Sequence, residues 1–105
     1  MYKSKRSKAT DIPKDVRDSV KERDGFRCVM CGSTARIELA HVILSRSNGG
    51  LGVEENLACL CQRCHRIMDG ESKKGKKIRR SVIHYLENFY GRIDINGIKY
   101  KNRIQ

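Results

Sequence analysis

Three side chains in the middle of this chain are of types that phosphate chemistry can use: His41, Asn56 and His65. An imidazole titrates near neutral pH, so His41 can take a proton from water. His65 can ligate a divalent ion (Mg2+, Mn2+ or another) that stabilises charge on a phosphate. Asp69 lies four residues after His65, on the same face if the segment is helical, and is a candidate second ligand. The Asn56 amide both donates and accepts, so it can hold a loop and, through it, His41. Arg46 can clamp a neighbouring phosphate. Taken singly, each has a plainer use. His41 reads as a structural histidine, and His65 as a neighbour or substitute of a zinc cysteine. Asn56 and Asp69 read as turn or helix-end residues. Together, on one basic finger, they point to phosphodiester hydrolysis.

Two cysteine pairs surround these residues: Cys28-Val-Met-Cys31 and Cys61-Gln-Arg-Cys64. A two-residue spacing lets both thiolates of a pair reach one ion, and two such pairs make a tetrahedral zinc site. Four protein ligands leave no open position, so the Zn2+ is structural. A redox CxxC would call for a thioredoxin-like pattern, which is missing. Cys59, the odd cysteine, sits in the apolar run Leu57–Leu60 and reads as a small buried side chain.

The elements that must position these groups follow from periodicity. Pro13 opens a helix whose Ile12, Val16 and Val20 recur every fourth residue, and Asp24-Gly25 ends it. Residues 36–40 alternate polar and apolar, a strand with His41 at its end. A Gly- and Ser-rich loop spans 45–55, a second short strand 56–60, and a helix about 62–70. A polar linker covers 71–77. A last helix, 78–90, lines up Ile78, Val82, Tyr85, Leu86 and Phe89, with His84 exposed. Asn96-Gly97 suggests a terminal hairpin or tail. This divides the chain into a flexible basic arm (1–11), a central domain (12–91) and a tail (92–105).

The chain has 105 residues and a formal net charge of +11, from 23 basic and 12 acidic side chains. One small domain fits that length, and a metal staple would help so small a core. The charge favours a polyanion, and Lys73, Lys74, Lys76, Lys77, Arg79 and Arg80 form its densest cluster. No apolar run is long enough to span a membrane, and no apolar segment follows the first positive charges. A cytoplasmic protein, with thiols reduced and free for metal, is expected.

With these residues in place, the sequence resembles the HNH endonuclease family in its zinc-stapled form. The likeness rests on the order His41, Asn56, His65 and on the strings RDGFRCVMCG, AHV, NGGLG and ENLACLCQRCH. It covers about 22–69. It implies an α+β fold, the ββα-metal (His-Me) finger with flanking helices. It implies His41 as general base, Asn56 as the residue that orders the loop, and His65, with Asp69, on a catalytic ion. DNA would be the substrate and 5′-phosphate ends the usual product. The short basic form is most similar to phage or prophage members, for which phage packaging proteins are a partner class. One departure stands out: many members carry His or Asp just before the general base, where this chain has Ala40. Glu38, two residues earlier on the same strand face, could compensate. Ala40 also keeps two other readings open: a zinc ribbon that binds nucleic acid without cutting, and a structural zinc protein of a larger assembly.

Overall fold

The computed structural model describes residues 4–101. A two-stranded antiparallel sheet, β1 (Ile37–His41) and β2 (Leu57–Cys61), forms its centre. All five residues of β2 are buried, because helices cover both sheet faces. On one face Ala40, Ala58 and Leu60 pack with Met68 of α3 (Gln62–Asp69) and with Ile78, Val82 and Leu86 of α4 (Lys73–Tyr90). On the other, Leu57 and Cys59 meet Val20 of α2 (Lys14–Arg23). A strand buried on both sides reads as a continuous apolar run, which LACLC is.

A two-stranded sheet leaves free edges whose backbone groups need partners. The edge of β2 is closed by the end of α2. The Cys59 amide donates to Asp24 Oδ2 (2.8 Å), and the Arg23 guanidinium donates to the Leu57 carbonyl (2.6 Å). The Tyr85 hydroxyl donates to Asp24 Oδ1 (2.6 Å) and ties α4 to the same point. Phe89 is 52% exposed, yet its ring packs edge-on against Tyr85 and lies 5.6 Å from the Arg23 guanidinium. His84 is exposed, as expected.

The structure differs from the sequence reading in three places. The expected flexible arm is ordered over its described part: α1 (Lys5–Thr10) is helical, capped by Ser4 and fixed by contacts to the central loop. Residues 1–3 of that arm lie outside the described residues. The linker expected over 71–77 belongs mostly to α4, which starts at Lys73 with Ser72 capping the Gly75 amide (3.1 Å). Cations at a helix N-terminus oppose the helix dipole, each by about 0.3–1 kcal/mol. Packing overrides that here: a Cβ on Gly75 would sit 2.2 Å from the Ile67 carbonyl, so α3 and α4 touch backbone to backbone. At Asn96-Gly97, where a hairpin or a tail is expected, the chain makes a 3-10 turn, Ile95–Ile98. Asp94 caps it and Ile98 is buried, so the tail pairs with the loop instead of itself: Leu51 N–H donates to the Ile98 carbonyl (2.8 Å). Among the described residues no helix is long and apolar enough to cross a membrane.

Candidate active site

The sheet register sets up two sites. Ile37 faces Cys61 at one end and His41 faces Leu57 at the other. At the first end, Cys28, Cys31, Cys61 and Cys64 bring their sulfurs within 4.8 Å of one another. Sulfurs on a tetrahedral zinc at about 2.3 Å lie about 3.8 Å apart; Cys31 and Cys61 Sγ are 3.6 Å apart. The turn after Cys31 uses Gly32 at φ +77°, and Gly32 N–H donates to the Cys28 carbonyl (2.9 Å). Burial alone would raise the Cys28 thiol. Backbone hydrogen bonds from Cys61, Cys31 and Met30 outweigh it and bring the thiol down to about 7, preparing a thiolate. The cluster fits a structural zinc. Cys59 takes no part: it is fully buried, and burial together with Asp24 pushes its thiol up to about 12.

Cys61 also caps α3, its sulfur accepting the Cys64 amide (3.4 Å). Cys64 then points at the sulfur cluster, and His65, a residue further round the helix, turns toward the far end of the sheet. There a cleft of about 460 Å³ is lined by His41, Arg46, His65, Asp69 and Arg79, among others. His41 is half-buried, and its Nε2 lies 3.0 Å from the Thr10 carbonyl. A carbonyl only accepts, so Nε2 carries the proton, and Nδ1 keeps the lone pair of the neutral ring. Burial lowers the His41 pKa. The Thr10 carbonyl raises it less, and Arg46 and His65 add to the lowering. The ring is therefore neutral at pH 7.

His65 is held from both sides. Its Nδ1 lies 2.8 Å from Glu38 Oε1, and its Nε2 lies 3.3 Å from Asp69 Oδ2. Asp69 borders the cleft, so the Nε2–Asp69 edge faces it. Ala40 is fully buried in the core, while Glu38 reaches the His65 ring. Asn56 is also fully buried, and its amide is saturated. Its Oδ1 accepts from the amides of Ile43 and Leu44 (both 2.9 Å), and its Nδ2 donates to the carbonyls of Leu44 (2.9 Å) and Leu51 (3.2 Å). The loop is thereby tied across its neck. Gly50 sits so close that a Cβ there would lie 1.9 Å from the Leu44 carbonyl.

The basic residues divide. Lys73, Lys74, Lys76, Lys77 and Arg80 are exposed on α4. Arg79 is half-buried, lines the cleft and donates to the Val42 carbonyl. Arg46 is exposed and pairs with Asp11. Sequence reasoning missed the Thr10 carbonyl, which no side-chain type announces. It also left Arg79 undistinguished from its neighbours, although α4 packs through Ile78 and Val82, one residue before it and three after.

The sequence model of the HNH endonuclease family matches residues 28–69, from the first cysteine to Asp69. A "Probable HNH endonuclease" of Lactococcus phage SK1 is 35% identical over 71 residues, which cover 60% of this chain and 74% of the phage protein. The chain belongs to the HNH endonuclease family. Its β1, β2 and α3 are the ββα finger of that family, stapled by the cysteine cluster, while α1, α2 and α4 flank the match. Membership in the HNH family carries metal-dependent nuclease function in general terms, with DNA as the implied substrate. No solved structure matches the chain significantly.

Proposed function

We propose that this HNH protein hydrolyses phosphodiester bonds in DNA, nicking one strand at a time, with His41 activating the water. The observation that carries this is the cleft itself: the neutral His41 ring lines the same cavity as the His65–Asp69 edge. His41 Nδ1 takes a proton from water as the water attacks phosphorus, opposite the leaving oxygen. The Thr10 carbonyl steadies the imidazolium that results. His65 Nε2 and Asp69 would hold the catalytic ion. Donors about 2.1 Å from an octahedral ion sit about 3.0 Å apart, close to the 3.3 Å seen between those two atoms. When bound, the ion supplies positive charge to the phosphate and to the leaving oxygen. Glu38 would fix the orientation of the His65 ring, the usual work of a carboxylate behind a ligating imidazole. Arg79 and Arg46 border the cleft and would take phosphate oxygens, and the exposed basic face of α4 would follow the DNA backbone. Asn56 keeps the loop, and with it Arg46, in place.

Two protein ligands suit a Mg2+-type ion, which keeps several waters. Ala40 nevertheless favours a second reading, a finger that grips DNA without cutting it. Supercoiled plasmid incubated with Mg2+, Mn2+ or Ni2+ separates the two. Nicking that disappears in Asp69→Asn and His65→Ala, with DNA affinity retained, supports the nuclease. Salt-sensitive binding with no nicking in any metal supports the binder.

A further inference from the structure

We propose that the segment Ser4–Asp11 is a strap that positions the active site, its Thr10 carbonyl holding His41 in the Nε2–H tautomer. The segment lies outside the family match at 28–69, so the device belongs to this chain's own flank. A six-residue helix has no stability of its own. α1 is ordered because it is tied, and ties from this segment reach His41 and the loop beyond it. Gly52 N–H donates to the Ala9 carbonyl (3.2 Å). The Arg6 guanidinium donates to the Ser47 carbonyl, and Asp11 pairs with Arg46. Thr10 is 2% exposed, and its hydroxyl donates back to the Arg6 carbonyl (3.0 Å), fixing the turn that presents its own carbonyl to His41. The approach is close enough to require glycine: a Cβ on Gly52 would stand 2.1 Å from the Asp11 carbonyl oxygen and 2.7 Å from its carbon. Backbone atoms on both sides cannot give way as a flexible side chain can.

The consequence for rate rests on the reading of His41 as the base. Without the carbonyl, the ring can exchange tautomers or turn, and in half of those arrangements an N–H, not a lone pair, meets the water. The ordering of the ring itself does not depend on any activity.

Gly52→Ala tests this while keeping His41, Thr10 and both sets of candidate ligands. Strap displacement is read by amide hydrogen exchange over residues 7–11. The His41 tautomer is read from its ring ¹⁵N signals, and integrity from zinc content and thermal melting. Exchange is expected to rise at least about ten-fold, the ring to pass from one tautomer to a mixture, and nicking to slow about ten-fold or more, with zinc retained. If the new methyl disrupts folding, Arg6→Ala with Asp11→Ala removes two ties and adds no atoms, at unchanged net charge. A displaced strap with unaltered His41 ring signals overturns the proposal, as does a strap that stays protected in both variants. If the wild type nicks nothing in any metal while the ring signals still follow the strap, the positioning role stands and the nuclease reading falls.

Discussion

The two ends of one short sheet are built in opposite ways. At the Ile37–Cys61 end, four cysteines from two local CxxC turns converge, and backbone amides stabilise the Cys28 sulfur. At the His41–Leu57 end, the groups come from everywhere: His41 from β1, His65 and Asp69 from α3, Arg79 from α4, and the Thr10 carbonyl from α1. The first end gathers four thiols that fit one structural zinc. The second is an open cleft whose imidazoles are held by neighbours but keep a face toward solvent. The contrast teaches a division of labour. A zinc held by the four cysteines would supply the rigidity that so small a core lacks, and the far end could then leave a cavity unfilled.

The comparison can be broken most violently at the cysteine end. Cys61→Ser, or removal of zinc by a chelator, should unfold the domain. Structural zinc contributes about 10–16 kcal/mol in small fingers, against a typical domain stability of about 5–15 kcal/mol. Loss of the cooperative melt together with zinc release checks this, and a folded metal-free protein would refute it. The loop neck comes next. Asn56→Ala leaves the amides of Ile43 and Leu44 without their acceptor and should cost about 3 kcal/mol, measured by denaturant titration. Zinc should stay bound, since Asn56 lies at the other end of β2.

Smaller effects sharpen the picture of the cleft. Glu38→Gln keeps the side chain's shape but weakens its hold on His65 Nδ1, and should lower affinity for the catalytic ion about 10–100-fold. Isothermal titration with Mn2+ reads that affinity while the zinc site stays filled. The pH dependence is subtler. Burial lowers the His41 pKa, so the nicking rate should fall on the acid side with a midpoint below the ordinary histidine value of about 6.5. The same shift links to stability. The folded state prefers the neutral ring, so this contribution is present above the unfolded pKa and is lost as pH falls through the lowered folded value. A rate midpoint above the ordinary value would contradict the burial argument.

Much of this was legible in the sequence, for physical reasons that differ by region. The CxxC spacing is local, and its chemistry admits few readings. Alternation in residues 36–40 and the short apolar stretch 56–60 placed both strands to within a residue of Ile37–His41 and Leu57–Cys61. His41 and His65, singled out by their types, line one cleft, while Asn56 is buried at the neck of the loop. What stayed hidden was long-range or carried by backbone. Thr10 acts through a carbonyl that every residue has. The start of α4 carries lysines that the helix dipole disfavours, and only the close approach at Gly75 explains it. Glu38 lay between: the strand alternation put it on the right face, but its use was apparent only once α3 brought His65 to 2.8 Å.

The proposed role of His41 is that of the base in a metal-dependent cut. Single-turnover nicking of supercoiled plasmid by wild type and His41→Ala, at matched zinc content and melting temperature, tests it most directly. The variant should bind DNA as before and lose nicking by about 10²–10⁴-fold. Equal cutting by the two proteins would contradict it.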